Sequence, residues 1–210
     1  MTTPRAAIAQ LRSTSDKVAN LVDIAKCAGW AKQRGASMLF LPECFGFLGD
    51  NAQQTLANAE PPVELGPGNS SNNNLDKALS IRLSQTITSY ASIPTSKETA
   101  SESVDIDENE NENVGQQVLL LEGLRTIARQ SGLWISGGGM HESGAPSTTA
   151  GDPEGRVYNT HVIIDKDGSV QCIYRKCHLF DVSIPGKVNL RESATTAPGQ
   201  TLAVCDSPIG

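Results

Sequence analysis

The sequence of 210 residues predicts an α/β fold, and three observations support that prediction. Segments with the apolar pattern of short strands alternate along the chain with segments of helical apolar spacing. One strand segment, residues 38–41, is continuously apolar, which is typical of a strand buried on both faces of a sheet. A hairpin with Asp-Gly at its turn follows in the second half of the chain.

The first part of the chain is predicted to form a strand, a helix and a second strand. Residues 5–11 have the pattern of a short strand, and Asp16 is a candidate N-cap for the helix that follows. The apolar residues of that helix recur at intervals of three and four, and Gly35 supplies its C-terminal stop. Residues 38–41 form the second strand, which Pro42 ends.

Residues 67–114 interrupt this alternation. The stretch contains Gly-Pro-Gly, an Asn/Ser run and an acidic tract, and these bracket one weakly helical piece at residues 75–83. Such a composition cannot bury enough apolar surface to offset the entropy of ordering the chain. The sequence therefore predicts a disordered low-complexity insertion at 67–114 within a single domain that otherwise covers residues 1–210.

The alternation resumes after the insertion. A helical stripe of apolar residues between 118 and 128 is closed by Gly132, and the strand that follows runs into three glycines at 137–139. Residues 158–164 and 170–174 form the predicted hairpin. Because the glycine segment opens no helix, we interpret it as a place of close backbone packing and not as a phosphate-binding loop.

Charge and composition exclude several classes of function. The net charge is −6, and residues 97–113 account for it with one lysine and seven acids, so the remaining chain is neutral and offers no basic cluster to nucleic acid. No apolar run is long enough for a bilayer, the N-terminus does not resemble a leader, and the five cysteines show no disulfide framework. We therefore expect a cytoplasmic protein, with the mitochondrial matrix as the alternative, and neither a nucleic-acid nor a membrane partner.

Two segments place charged side chains at the ends of predicted strands. Glu43 follows the strand at 38–41, at the edge of an α/β sheet where ligands bind, and apolar neighbours suit it to general-base work. Lys176 follows the second hairpin strand, where its ammonium group could stabilise an oxyanion or pair with Glu43. Taken separately, each segment is better explained by solvated surface charges.

Taken in order, the motifs resemble those of the nitrilase superfamily of carbon–nitrogen hydrolases. The matching motifs are Leu-Pro-Glu at 41–43, Gly-Gly-Gly-Met-His-Glu at 137–142, Tyr-Asn-Thr-His at 158–161 and Tyr-Arg-Lys-Cys-His-Leu-Phe-Asp at 174–181. Residues 133–193 are most similar to the Nit branch, whose members are amidases that act on deaminated glutathione or related ω-amides. The resemblance implies a four-layer αββα sandwich, of which this chain is the N-terminal part, and no cofactor or metal.

The resemblance also implies a Glu-Lys-Cys triad. By motif, Glu43 matches the general base, Lys176 matches the residue that stabilises the tetrahedral intermediate, and Glu192 matches an additional glutamate that positions the lysine and the substrate. For Glu192, a surface ion pair with Arg191 is an equal alternative. The implied partner is a small-molecule amide substrate, and members of the family usually form homodimers.

The family's nucleophilic cysteine has no match in this sequence. Residues 202–207 match the strand before it and residues 208–210 match the turn, so the resemblance places the nucleophile after Gly210. Cys205 mimics the motif only superficially, because a Pro-Gly pair lies too close upstream and a turn still follows.

The other cysteines are assigned packing roles. Cys44 and Cys177 adjoin Glu43 and Lys176, and neighbours on a strand point to opposite faces, so we expect their thiols to point away from the site. Cys27 and Cys172 fit the interior of a helix and a strand.

Two functions therefore remain open. The first is an amidase of the Nit type, with the 210-residue chain itself inactive for lack of the nucleophile. The alternative is a catalytically inactive truncated homologue, which acts as a binding or interaction module or is a fragment produced by a gene-model error.

Overall fold

A computed structural model describes residues 3–68, 75–94, 118–146 and 155–210. The helices in these ranges are α1 (Lys17–Gln33), α2 (Ala52–Ala57), α3 (Lys77–Ala91) and α4 (Leu120–Ser131). The strands are β1 (Ala6–Ile8), β2 (Met38–Phe40), β3 (Trp134–Ala145), β4 (Arg156–Ile164), β5 (Val170–Arg175), β6 (Asp181–Ile184) and β7 (Val188–Arg191). A short 3₁₀-helix follows at Glu192–Ala194.

Strands β1 to β5 form one sheet in the order of the chain. The first three strands run parallel, and β4 and β5 are added as an antiparallel hairpin. Helices α1 and α4 pack against the sheet and against each other, and buried residues such as Ile24, Leu39 and Ile135 form the core between them. The predicted α/β fold is confirmed, and β6 and β7 form a separate two-stranded antiparallel sheet.

The capping residues that the sequence predicts begin and end two of the helices. Asp16 caps α1, since its Oδ1 accepts a hydrogen bond of 3.0 Å from the N–H of Ala19. Gly132 ends α4 in the left-handed conformation at φ 71°, a region that glycine enters without steric cost. The apolar run after α1 is buried, and Leu39 at its centre is 1% exposed.

The structure contradicts part of the predicted disordered insertion at 67–114. Residues 77–91 form α3, which packs against α1 and α4. The helix buries four side chains that recur at helical spacing: Leu79, Leu83, Ile87 and Tyr90. It approaches α1 closely at Gly29, where a Cβ would lie 2.7 Å from the carbonyl oxygen of Ile87. Residues 69–74 and 95–117 of the predicted insertion lie outside the described residues.

The predicted strand at 202–207 is also wrong. These residues have no regular secondary structure, and Leu202 and Val204 are 89% and 94% exposed. An isolated strand leaves its backbone groups unpaired, and no described strand forms a backbone ladder with this segment. Across the described ranges, none of the helices combines the length and apolar character that a membrane span requires.

Candidate active site

The three residues predicted for the site lie side by side at the ends of strands. Lys176 Nζ donates to Glu43 Oε1 at 3.1 Å and to Glu192 Oε2 at 3.0 Å. Glu43 follows β2, Lys176 follows β5, and Glu192 opens the short 3₁₀-helix after β7. Glu192 therefore pairs with Lys176, which replaces the alternative of a surface pair with Arg191.

Asn159, which we did not single out from the sequence, completes this cluster. Its Nδ2 donates to Glu43 Oε1 at 2.5 Å and to Glu192 Oε1 at 3.3 Å. Asn159 lies on β4 and is 7% exposed. The available signal was the Tyr-Asn-Thr-His motif, which places Asn159 on the same face of β4 as the buried Val157, two residues before it.

One ammonium group is shared by two carboxylates in this cluster. Burial acts to lower the pKa of Lys176, but its hydrogen bonds to Glu192 and Glu43 outweigh burial, so this pKa is raised. Burial acts to raise the pKa of Glu192, yet hydrogen bonds from the Phe180 N–H, Lys176 and Asn159 lower it overall. Both shifts favour the ionised forms, so the ion pair is charged at neutral pH.

The glycines of β3 pack directly against the loop that carries Glu43. A Cβ at Gly138 would overlap the carbonyl oxygen of Leu41, and a Cβ at Gly139 would lie 2.6 Å from Asn159 Oδ1. Gly139 also has φ 147°, and its carbonyl oxygen accepts the N–H of Cys44 at 3.1 Å. The interpretation of this segment as close backbone packing is confirmed.

A fully buried carboxylate, that of Glu142, lies next to the site residues in the sheet. Glu142 on β3 is fully buried, and it accepts hydrogen bonds from Thr160 Oγ1 at 2.5 Å and from Arg175 Nε and Nη2 at 2.8 and 2.6 Å. Thr160 follows Asn159 in β4, and Arg175 precedes Lys176. Glu142 thus ties together the two strands that carry the polar side chains of the site.

The two histidines of β3 and β4 have different surroundings. His161 shares a hydrogen bond of 2.8 Å with Ser136 Oγ, as expected for a structural histidine. His141 pairs with Asn159 across the strands, and burial lowers its pKa despite the two nearby carboxylates. Within the described ranges, no three His, Cys, Asp or Glu side chains are grouped closely enough to hold a metal ion.

Three of the five cysteines, Cys172, Cys177 and Cys205, contact either another cysteine or backbone carbonyl oxygens. Cys205 contacts Cys172 of β5 through its side chain. The Cys177 thiol lies 3.6 Å from the carbonyl oxygen of Arg175 and 3.8 Å from that of Thr201. All three are partly buried reduced thiols.

Cys44 directly follows Glu43 in the chain, while Cys27 lies on α1. Burial raises the pKa of the Cys44 thiol, and the carboxylates of Glu43 and Glu192 raise it further against the smaller opposing effect of Lys176. A raised pKa disfavours the thiolate, which is the nucleophilic form. Among the described hydrogen bonds, no cysteine thiol contacts Glu43 or Lys176.

A known family of hydrolases matches nearly the whole chain. The carbon-nitrogen hydrolase family matches residues 5–210. The chain therefore belongs to the carbon-nitrogen hydrolase family, and within it to the nitrilase superfamily.

Two relatives and one solved structure are similar to this chain. The chain is 32% identical over 206 residues to deaminated glutathione amidase of Bos taurus, covering 98% of this chain and 44% of the relative. It is 44% identical over 100 residues to the Dictyostelium discoideum protein of that name, covering 47% and 33%. The crystal structure of the C. elegans NitFhit protein matches with TM-score 0.58 and 27% identity, covering 100% of this chain and 37% of that chain. The chain thus spans less than half the length of these relatives.

Proposed function

We propose that Glu43, Lys176 and Glu192 are the acid–base part of an amidase site that acts on deaminated glutathione or a related ω-amide. The single observation that carries this proposal is the shared ammonium group of Lys176, 3.1 Å from Glu43 and 3.0 Å from Glu192. A carboxylate beside an ammonium group supplies both a base for the nucleophile and a charge for the oxyanion. The names of the relatives support the substrate class.

The mechanism uses a cysteine thiol as nucleophile. Glu43 takes the thiol proton, the sulfur attacks the amide carbonyl carbon, and Lys176 stabilises the negative charge on the carbonyl oxygen. Glu43 passes the proton to the amide nitrogen, the carbon–nitrogen bond breaks, and ammonia leaves a thioester. Glu43 then takes a proton from water, whose oxygen attacks the thioester; the sulfur leaves, recovers the proton, and the carboxylic acid is released.

We infer that none of the five cysteines in these 210 residues is this nucleophile. Cys44 adjoins Glu43, but its raised pKa disfavours the thiolate. The thiol of Cys205 contacts Cys172, on a strand other than the one that leads to Glu43. The 210-residue chain therefore supplies the base and the oxyanion charge but not the attacking sulfur.

A non-catalytic binding module is the second candidate function, and exposed apolar residues favour it. Strand β1 pairs only with β2 among the described strands, and Ile8 on it is 87% exposed. Leu202 and Val204 are exposed to a similar extent. Open strand edges and exposed apolar side chains are typical of surfaces that bind another chain.

We expect purified residues 1–210 to release no ammonia from deaminated glutathione, and Glu43→Gln to leave this result unchanged. The reason is that no acyl-enzyme forms without the nucleophilic sulfur. Ammonia is measured with a coupled dehydrogenase, and circular dichroism verifies that both proteins are folded. A deaminated glutathione amidase that retains its cysteine is the positive control. Ammonia release that disappears both in Glu43→Gln and in Cys44→Ser or Cys205→Ser would overturn the inference about the nucleophile.

A further inference from the structure

Asn159 contacts three parts of the site at once. Its side-chain Nδ2 donates to Glu43 Oε1 and to Glu192 Oε1, at 2.5 and 3.3 Å. Its backbone carbonyl oxygen accepts the N–H of Lys176 at 2.9 Å. Asn159 is the neutral residue that touches both carboxylates and also fixes the backbone of the lysine between them.

A primary amide suits this position because it offers two N–H donors without a charge. Aspartate would place a third carboxylate beside Glu43 and Glu192, and lysine would add a second cation. The amide oxygen faces Gly139, where a Cβ would lie 2.6 Å away, so the glycine leaves the room that the amide needs. With two carboxylate acceptors on the other side, the amide must present its nitrogen to them.

The two donors to Glu43 both contact the same oxygen. Asn159 and Lys176 donate to Oε1, and no donor in the described part of the chain makes a hydrogen bond to Oε2. A carboxylate fixed through one oxygen keeps the lone pairs of the other available to accept a proton.

We propose that Asn159 is a positioning residue that fixes Glu43 through Oε1, so that Oε2 is the oxygen that takes the proton of the nucleophile. The same side chain holds Glu192 against Lys176. This inference rests on the proposed role of Glu43 as general base, and it adds which oxygen acts and which residue selects it.

The test compares Asn159→Asp and Asn159→Ser with the unchanged 210-residue chain. The donation from Asn159 is one of the hydrogen bonds that lower the pKa of Glu192. We therefore expect the titration midpoint of the Glu192 carboxyl carbon, followed by NMR, to move upward in both variants. The shift is larger in Asn159→Asp, which also adds a negative charge beside Glu43, Lys176 and His141.

Asn51→Asp is the matched control, because it adds the same charge at the exposed N-cap of α2, where aspartate and asparagine cap equally well. It leaves the Glu192 midpoint unchanged. In any form of the protein that turns over an amide, both Asn159 variants lose about a hundredfold in kcat with little change in KM, because Glu43 is no longer aligned.

The titration needs no turnover, so a failed amidase assay and a failed positioning role are distinguishable. An unchanged Glu192 midpoint in both Asn159 variants would overturn the proposal. Loss of cooperative unfolding in both variants would also overturn it, since Asn159 would then be required for folding and not for positioning.

Discussion

Glu142→Ala is expected to lower the free energy of unfolding by about 3 kcal/mol. Glu142 is fully buried, and its carboxylate accepts hydrogen bonds from Arg175, from Thr160 and from the N–H of Val63 at 2.9 Å. Removal of the carboxylate leaves two buried donors and one cation without their acceptor. The value lies at the lower end for a broken buried ion pair because the Arg175 side chain is 38% exposed and regains water.

Urea unfolding at neutral pH measures this loss, and Glu64→Ala is the control. Glu64 is exposed, so its substitution is expected to change stability by less than about 0.5 kcal/mol. Equal losses in Glu142→Ala and Glu64→Ala would contradict the structural role of Glu142.

The Glu142 carboxylate also makes the free energy of unfolding depend on pH. Burial acts to raise the pKa of Glu142, but the hydrogen bonds from Arg175, Thr160 and Val63 lower it overall from its ordinary value of 4.5. A pKa that is lower in the folded state stabilises the protein above pH 4.5, and this contribution is lost as the pH falls through the folded value. We expect Glu142→Gln to unfold with a weaker dependence on acid than the unchanged chain. An identical dependence in the two proteins would show that the carboxylate does not contribute.

Gly138→Ala is expected to lower the free energy of unfolding by about 3 kcal/mol. A Cβ at this position overlaps the carbonyl oxygens of Leu41 and Pro42, and it would lie 2.6 Å from the carbonyl carbon of Pro42. These are backbone atoms at the end of β2, so the strand end must move, and Glu43 moves with it.

Gly137→Ala is the matched control for this substitution. A Cβ at Gly137 meets only side-chain atoms, at 3.0 Å from Val162 and 3.2 Å from Leu124. Such side chains can shift by a few tenths of an ångström, so we expect a loss of about 1 kcal/mol. Urea unfolding of both variants measures the two losses of free energy. Equal losses would show that β3 does not approach the Glu43 loop closely.

The order of strands and the residues at their ends were predictable from the sequence. Apolar runs and the Asp-Gly turn locate β2 and the β4–β5 hairpin, and these elements carry Glu43 and Lys176 to one edge of the sheet. Glu192 was predicted from the motif resemblance alone. It follows the β6–β7 hairpin, whose strands are exposed and therefore lack the apolar alternation that marks a strand with one buried face.

The polar partners of the site were not predictable in the same way. Asn159 and Glu142 acquire their contacts through the register of β3 against β4, which shifts between Gly137 and Met140 and again between Glu142 and Ala145. Such shifts depend on backbone geometry at the glycines, and alternation of polarity does not reveal them.

The helix α3 was predicted only in part, as a weakly helical piece at residues 75–83. The polar and acidic residues that surround the helix within residues 67–114 obscured its apolar stripe of Leu79, Leu83 and Ile87. An apolar stripe of this length is sufficient because Gly29 of α1 lets the two helices approach closely.

The most direct measurement is to locate the acyl group after incubation with deaminated glutathione. The protein is quenched in acid, digested and analysed by mass spectrometry, so that each cysteine peptide is read separately. In residues 1–210 we predict no acyl thioester on Cys27, Cys44, Cys172, Cys177 or Cys205. If the protein isolated from its own cells forms a thioester, we predict that the thioester lies on a cysteine other than these five. We also predict that the Glu43→Gln variant forms no thioester. A thioester on any of the five that depends on Glu43 would contradict the proposed division of roles in this site.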